Sequence, residues 1–337
     1  MSTSIPTSTA WLLGACMEAK GQQTLWTRQK PEALEALREQ AVVQSAESSN
    51  RIEGVVVEPG RLRPILLEGD KPRDRSETEL VGYRKALVLI FSKYSSIPVS
   101  PKTILHLHEM IQGVGPGDAG QWKRVDNEIV ELKPGHAPRV RFKATSAKDT
   151  PAAVKALCRA YGDLKEGEGF PQSLAAATFV FDFLCIHPFR DGNGRVSRLL
   201  TALLLVKQGF TVGRYVSLER LVEESKEDYY AVLERCSRGW HEGKHDLVPW
   251  WNYFLEILNR AYGELGQQVQ FATGPAKTEL IRRAVREQVG AFTLAEIQAA
   301  CPAVSPQLIK KVLGDLKRDG KVQLTGHGRG ARWENAS

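Results

Sequence analysis

No segment of this sequence carries the roughly 18 to 20 consecutive apolar residues that a membrane span needs, and the run Leu199 to Val206 is closed by Lys207. A membrane-spanning class is therefore not expected. From Met1 to Lys20 no basic residue precedes the short apolar patch Trp11-Leu12-Leu13, so the charged start of a secretory signal is missing and a cytoplasmic location is expected. Cysteine is sparse: Cys16, Cys158, Cys185, Cys236 and Cys301 form no CxxC pair, which points away from a disulfide framework and from a zinc site. Long polar or repetitive tracts are also lacking. With 42% hydrophobic and 25% charged residues in 337, the composition is that of a globular protein with material for one or two cores. The net charge is +7, and most of it sits at one end: Ala276 to Ser337 holds 11 Lys+Arg against 6 Asp+Glu, leaving 35 against 33 before it. A small basic module suggests an anionic partner.

Helical spacing of apolar residues dominates what is there. It predicts helices over Pro31 to Glu53, Ser76 to Tyr94, Pro101 to Gln112, Asp149 to Leu164, Ser173 to Ile186, Arg195 to Gln208, Lys226 to Gly239 and Pro249 to Gly263. One interruption, Gly120 to Lys143, mixes Trp122, Val125, Ile129, Val130, Val140 and Phe142 with Gly and Pro, which suits a hairpin followed by an extended loop. The polar, glycine-bounded string Gly266 to Gly274 reads as a linker, with a second domain starting near Ala276. In that domain helices are expected over Lys277 to Gln288, Thr293 to Ala300 and Ser305 to Asp319, then two short strands around a Gly-rich tip, Gly326 to Gly330. That order resembles a winged helix-turn-helix with Ser305 to Asp319 in the recognition-helix position. Lys310, Lys311, Lys317, Arg318 and Arg329 are its candidate phosphate contacts.

Chemistry concentrates in His187 to Arg198, HPFRDGNGRVSR, between two apolar helices. Asp191-Gly192-Asn193-Gly194 tolerates positive φ just ahead of a helix N-terminus, so successive backbone N–H groups can converge on an anion. Arg195 and Arg198 are three apart in the first helical turn and share a face. Two guanidinium forks beside such a nest imply a polyphosphate. Asp191 is a hard oxygen donor of the kind Mg²⁺ takes, and His187 is a base whose neutral imidazole can accept a proton near pH 7. Base, metal ligand, nest and arginine pair together describe nucleotidyl or phosphoryl transfer.

The same string matches the HPFx(D/E)GNGRxxR signature of the Fic (Fido) family at every specified position, and the resemblance extends over roughly Ser45 to Arg260. It implies a mainly α fold: a Fic-type helical core with a small β-hairpin flap, followed here by the small winged helix-turn-helix domain. Gly120 to Val130, GQWKRVDNEIV, resembles that flap, with Val125, Asn127 and Ile129 as its candidate substrate-facing residues; Glu128-Ile129-Val130 stands where the family commonly has a Trp-Ile-Gly-like stretch. Tyr229 and Tyr230 resemble the tyrosine pair lining a nucleotide base pocket, and Ser237 stands where some relatives carry Asn. The implied reaction is transfer of AMP from ATP to a Ser, Thr or Tyr hydroxyl of a target protein. His187 would take the hydroxyl proton, and Asp191 would hold Mg²⁺ across the α- and β-phosphates. Asn193 with the N–H groups of Gly192 and Gly194 would cradle phosphate, and Arg195 and Arg198 would hold the β/γ end. Pro188 and Phe189 are assigned to packing. Gly194 favours AMP transfer, since relatives that phosphorylate carry Lys there.

Upstream, Ser49-Asn50-Arg51-Ile52-Glu53-Gly54 resembles the family's (S/T)xxxE(G/N) inhibitory-helix motif. Ser49 and Glu53 are four apart and share a helix face, and Gly54 suits a helix end. The resemblance implies that Glu53 pairs with Arg198 and obstructs seating of the γ-phosphate, and that the protein also removes AMP from its target. His106 and His108 lie on roughly opposite helix faces, one core and one solvent-facing. Arg73 to Glu79 reads as a solvated charged helix start, and Trp250 and Trp251 as helix packing. The expected organisation is a helical region over 1–100 with the inhibitory helix near 45–54, a catalytic core over 101–265, a linker over 266–275 and a winged-helix domain over 276–337. Implied partners are a protein substrate, the chain itself as a substrate or in a homodimer, and DNA or protein at the winged helix. The alternative reading is a DNA-binding regulator that uses the Fic fold as a nucleotide sensor; a pure sensor has no need of the base His187.

Overall fold

In the computed structural model, which describes residues 5–29, 31–113, 117–131, 139–166, 169–273, 277–288, 290–301, 304–326 and 331–336, the chain divides into two units, Met1–Gln267 and Gln268–Ser337. The first runs through helices α1 (Thr7–Gln29), α2 (Pro31–Ile52), α3 (Pro59–Arg63), α4 (Arg75–Lys93) and α5 (Pro101–Gln112) to an antiparallel hairpin, β1 (Glu128–Glu131) and β2 (Arg139–Lys143). Helices α6 (Thr150–Glu166), α7 (Gln172–Ile186), α8 (Asn193–Lys207), α9 (Leu218–Glu224), α10 (Lys226–Ser237) and α11 (Val248–Thr273) follow.

Helix α7 is apolar on every side, and Leu174, Ala176, Phe179, Phe181, Phe183 and Ile186 are all buried. A helix with no polar face belongs in the middle of a core. It packs between α6 and α8, while α8 also meets α4 and α5. The indoles of Trp250 and Trp251 lock α11 onto it, donating to the Ala177 carbonyl at 2.7 Å and the Thr178 hydroxyl at 2.9 Å. Starts of helices follow local chemistry: the Asp74 carboxylate accepts from Glu77 N–H ahead of α4, and Ser100 caps α5 with Pro101 at the first helical position.

Two expectations are corrected, and the region expected to be helical gains a helix that apolar spacing does not mark. Helix α1 has no apolar stripe in the sequence. Its buried positions are Thr9, Cys16 and Gln23, seven residues apart, which reach the core by hydrogen bonds to Asn252, the Leu255 carbonyl, and the Gly209 carbonyl and Tyr262 hydroxyl. The expected linker over 266–274 is helical to Thr273, because buried Leu265 and Val269 prolong the apolar face of α11; residues 274 and 275 lie outside the described set. In Gly120 to Lys143 the order is reversed, with an irregular stretch to Asn127 first and the hairpin second.

The second unit comprises α12 (Lys277–Arg286), α13 (Leu294–Ala300), α14 (Pro306–Arg318) and antiparallel β3 (Val322–Thr325) and β4 (Arg332–Asn335). Thr293 and Glu296 form a capping box on α13, and Ser305 caps α14. Ile281, Phe292, Ile297, Ile309, Leu313 and Val322 fill its core. The expected wing tip beyond Gly326, with Arg329, lies outside the described residues.

Candidate functional site

Between α7 and α8 the chain reverses through His187 to Gly192, and two residues carry the bend. His187 sits at φ 50, the only non-glycine with positive φ among the described residues. Gly192 caps α8 at φ 84. A bulky residue in that region is strained unless its surroundings fix it. Here the fixing is dense. The Asn193 side chain accepts from Phe189 N–H at 2.9 Å and donates to the Phe189 carbonyl at 2.8 Å. The Phe189 ring, fully buried, stacks on His108 at 3.8 Å and on Trp122 at 5.3 Å.

His187 Nδ1 lies 3.2 Å from the Leu184 carbonyl. A hydrogen bond there places the proton on Nδ1 and leaves Nε2 as the free acceptor. Burial, helped by the nearby Lys123 ammonium, pulls this imidazole down to about 4, so it is neutral at pH 7. The Lys123 side chain donates to Asn127 at 2.7 Å and to the Ile186 carbonyl at 3.2 Å, while its backbone N–H donates to the Pro188 carbonyl at 2.9 Å. Burial lowers its ammonium to about 8.

His187 opens onto a cavity of about 800 Å³, which Glu53, Ile129, Gly194, Tyr229, Tyr230 and Ser237 also line. That volume suits a nucleotide-sized ligand. Phe142, Phe181, Leu184, Leu233 and the two tyrosines give it an apolar lining, and Glu53, Arg141, Glu227 and Glu234 are its charged side chains. The Ser237 hydroxyl is bonded to the Glu234 carbonyl at 3.0 Å.

Ser49 and Glu53 both meet Arg198. Arg198 Nε donates to the Ser49 hydroxyl at 2.8 Å, and Nη2 donates to the Ser49 carbonyl at 2.9 Å and to Glu53 Oε1 at 2.7 Å. Glu53 lies one residue beyond α2, and Gly54 closes the helix at φ 81. The Glu53 carboxylate also crowds the first turn of α8: a Cβ added at Gly194 would collide with Oε1 and stand 2.9 Å from the carboxyl carbon. It thus occupies the helix N-terminus, where an anionic ligand would sit.

Arg195 does not share that front. It is buried with its Nη1 on Glu79, and side-chain exposure is 1% for Arg195 and 2% for Glu79. A weaker contact runs from Nη2 to Asp191 at 3.4 Å. The expected arginine pair is therefore split, Arg198 facing Glu53 and Arg195 anchoring α8 to α4. Asn193 is likewise corrected, since both ends of its side chain are committed to Phe189. Arg73 to Glu79 is not a solvated start either: Glu77 is buried against Arg61 at 2.9 Å and Glu79 against Arg195.

Asp191 is exposed, accepting from Gly192 N–H at 2.6 Å and from Arg75 at 2.6 Å. Against a desolvation cost, Arg195, Gly192 N–H and Arg75 hold its carboxyl below the usual range. An ionised single carboxylate fits Mg²⁺, which takes one or two protein oxygens and completes its shell with phosphates and water. No larger group of metal-binding side chains gathers among the described residues. Of the expected flap residues, Ile129 lines the cavity, Asn127 is bonded to the Phe189 carbonyl at 3.0 Å, and Val125 is 77% exposed.

Three further side chains stand at the site outside the motifs visible in the sequence. Buried His108 takes the Gly120 N–H on Nδ1 at 3.1 Å and places Nε2 3.1 Å from the Asp191 carbonyl, tying flap to loop; the expectation that one of the two histidines is core holds for it. Lys123 and Arg75 complete the set. Their signal was a cation within reach of the motif, which chain spacing does not reveal.

Residues 98–205 match the sequence model of the Fic/DOC family. A protein adenylyltransferase Fic of Drosophila willistoni is 27% identical over 271 residues, 76% of this chain and 49% of that one. Its counterpart in Drosophila melanogaster is 29% identical over 249 residues, 70% and 46%. The chain thus spans about half the length of these curated relatives. Among solved structures, a Fic family protein from Desulfovibrio desulfuricans G20 superposes with a TM-score of 0.65 at 18% identity, covering 99% of this chain and 97% of that one. Fic-1 of C. elegans, residues 134–508, gives 0.60 at 21% identity, covering 79% and 74%. These likenesses establish the mainly helical Fic fold.

Proposed function

We propose that this chain, which carries a Fic/DOC domain over residues 98–205, transfers AMP from ATP to a hydroxyl of a target protein and is restrained in doing so by Glu53. The observation that carries the reading is one cavity lined at once by a neutral base, His187, by the first turn of α8 at Gly194, and by the Tyr229–Tyr230 pair. The chemistry balances without a covalent enzyme intermediate. His187 Nε2 accepts the proton of a Ser, Thr or Tyr hydroxyl, and the hydroxyl oxygen bonds to the α-phosphorus. The bond from that phosphorus to its bridging oxygen breaks, and pyrophosphate leaves. The N-terminal turn of α8 and Arg198 offer positive potential where the phosphates lie. Mg²⁺, when bound at Asp191, would neutralise phosphate charge. The names of the curated relatives support the same activity.

Restraint follows from occupancy. Glu53 places one carboxylate on the two features a terminal phosphate needs, the α8 N-terminus and the Arg198 fork. While it sits there, a phosphate meets a like charge and a guanidinium whose Nε and Nη2 are already engaged. The same carboxylate beside the base can orient a water whose oxygen bonds to the phosphorus of target-bound AMP while the bond from that phosphorus to the target oxygen breaks, releasing AMP and the free hydroxyl, a second, hydrolytic activity of this site.

The test is incubation of Glu53→Gly and Glu53→Gly/His187→Ala with ATP labelled at the α- or the γ-phosphate and a protein acceptor. Protein-bound label from the α position alone, lost with His187, is the expected result. Label from the γ position would identify phosphoryl transfer instead and overturn the assignment.

A further inference from the structure

His187 ends α7 in the left-handed region, at φ 50, a conformation unfavourable for a side chain with a Cβ. One short segment holds the carbonyls around it. The Lys123 ammonium donates to the Ile186 carbonyl at 3.2 Å, and the Lys123 backbone N–H donates to the Pro188 carbonyl at 2.9 Å. Asn127 accepts from that ammonium at 2.7 Å and donates to the Phe189 carbonyl at 3.0 Å. The residue before the base and the two after it are thus tied to Lys123 and Asn127, while the imidazole Nδ1 donates to the Leu184 carbonyl. Beyond Asn127 the chain enters β1, where Ile129 lines the cavity. Lys123 is 4% exposed. Among the described residues no carboxylate lies within ion-pair distance of its ammonium, and Asp126 acts on it from farther away. Burying an ammonium without a counter-ion is costly, and stability alone would favour an apolar side chain there.

A buried ammonium bonded to carbonyl oxygens beside a strained residue has one evident task, to hold that residue. We infer that Lys123 is a positioning residue for the base: with Asn127 as its second arm it fixes the left-handed turn at His187, so that Nδ1 stays on Leu184 and Nε2 faces the cavity. Lys123 is not among the residues that line the cavity, so it acts through His187 and not on a ligand. The inference rests on the transfer reaction proposed above. Burial is the largest influence on the imidazole; of the charged groups, Lys123 disfavours its protonated form, and Glu53 and Asp191 favour it. At about pH 7.5 the imidazole is neutral with or without Lys123, since an unperturbed histidine titrates near about 6.5. An effect of Lys123 at that pH is one of geometry.

The test uses the full chain with Glu53→Gly as parent. Into it go Lys123→Met, which keeps the length of the side chain and removes its donors, and Asn127→Ala, which reaches the same turn from the other arm. Nitrogen NMR of histidine-labelled protein, without nucleotide, reads the tautomer of His187, whose signal is identified by its loss in His187→Ala. The parent should carry the proton on Nδ1 alone, and both variants should show a mixture of the two neutral forms. At about pH 7.5, kcat for AMP transfer should fall about 10- to 100-fold in Lys123→Met, while ATP affinity by calorimetry stays within about twofold of the parent. A general loosening of the site would move both together. The inference fails if both variants keep the parent's tautomer, if kcat in Lys123→Met equals that of the parent, or if ATP affinity falls as far as kcat. Should Lys123→Met not fold, the tautomer in Asn127→Ala decides. Absence of transfer by the parent would overturn the proposed reaction instead, and the NMR reading would still decide whether Lys123 sets the base.

Discussion

Removing the Glu79 carboxylate should unfold the first unit at a much lower temperature. Glu79 and Arg195 are almost wholly shielded from water, at 2% and 1% side-chain exposure, and Arg195 Nε already has no hydrogen-bond partner. In Glu79→Ala the guanidinium would keep only the Asn50 side chain at 3.3 Å and Asp191 at 3.4 Å. Stripping one partner from a buried pair costs about 3–5 kcal/mol. Arg75 also loses Glu79, but that guanidinium is largely exposed, at 67%, and keeps Asp191, so its part is below about 1 kcal/mol. At about 2–4 °C per kcal/mol for a unit of this size, the midpoint should fall by about 6–20 °C. Near-UV circular dichroism at pH 7 follows it, with Glu35→Ala as a control whose exposed pair with Arg38 should leave the midpoint within about 2 °C. Replacing both buried partners by apolar residues, Glu79→Leu/Arg195→Met, should recover most of the loss, because no charge is then left alone. A drop under about 2 °C for Glu79→Ala, or a double variant worse than either single one, would refute the reasoning.

The base held at about 4 by burial makes the rate of AMP transfer fall only as pH drops through that value, so a single-turnover profile should be flat from pH 6 to 8. Lys123→Met removes a cation beside it and should move the acid limb upward. His108, buried and also near 4, is neutral in the folded state while the unfolded chain protonates near 6.5. Stability should therefore be complete above about 6.5 and decline as pH falls toward about 4, by about 3 kcal/mol for this group; denaturant titrations of wild type and His108→Gln across that window would show a shallower decline in the variant. Asp191→Asn should raise the Mg²⁺ concentration needed for tight nucleotide binding, measured by calorimetry without any turnover.

What sequence makes legible is what lies close along the chain. His187 to Arg198 is contiguous, and Ser49 and Glu53 are one helical turn apart, so both groupings are visible before folding. Apolar spacing finds α5 and α7 because they are buried through hydrophobic contact. It misses α1, whose Thr9, Cys16 and Gln23 are buried through hydrogen bonds, and it misreads Glu77 and Glu79, whose burial depends on arginines 16 residues and 116 residues away. Asn193 has the right chemistry for a phosphate but lies nearer to the Phe189 backbone, a choice that only the fold of the loop decides. Gly266 looked like an interruption of α11, yet apolar packing at Leu265 and Val269 carried the helix past it.

The central claim is that Glu53 restrains a competent adenylyl-transfer site through Arg198. Its most direct test compares initial rates of AMP incorporation by wild type and Glu53→Gly at one saturating ATP concentration. One charge-assisted contact returned to the phosphates amounts to about 1.5–3 kcal/mol, a rate increase of about 10- to 150-fold for Glu53→Gly. Equal rates for the two proteins would contradict it.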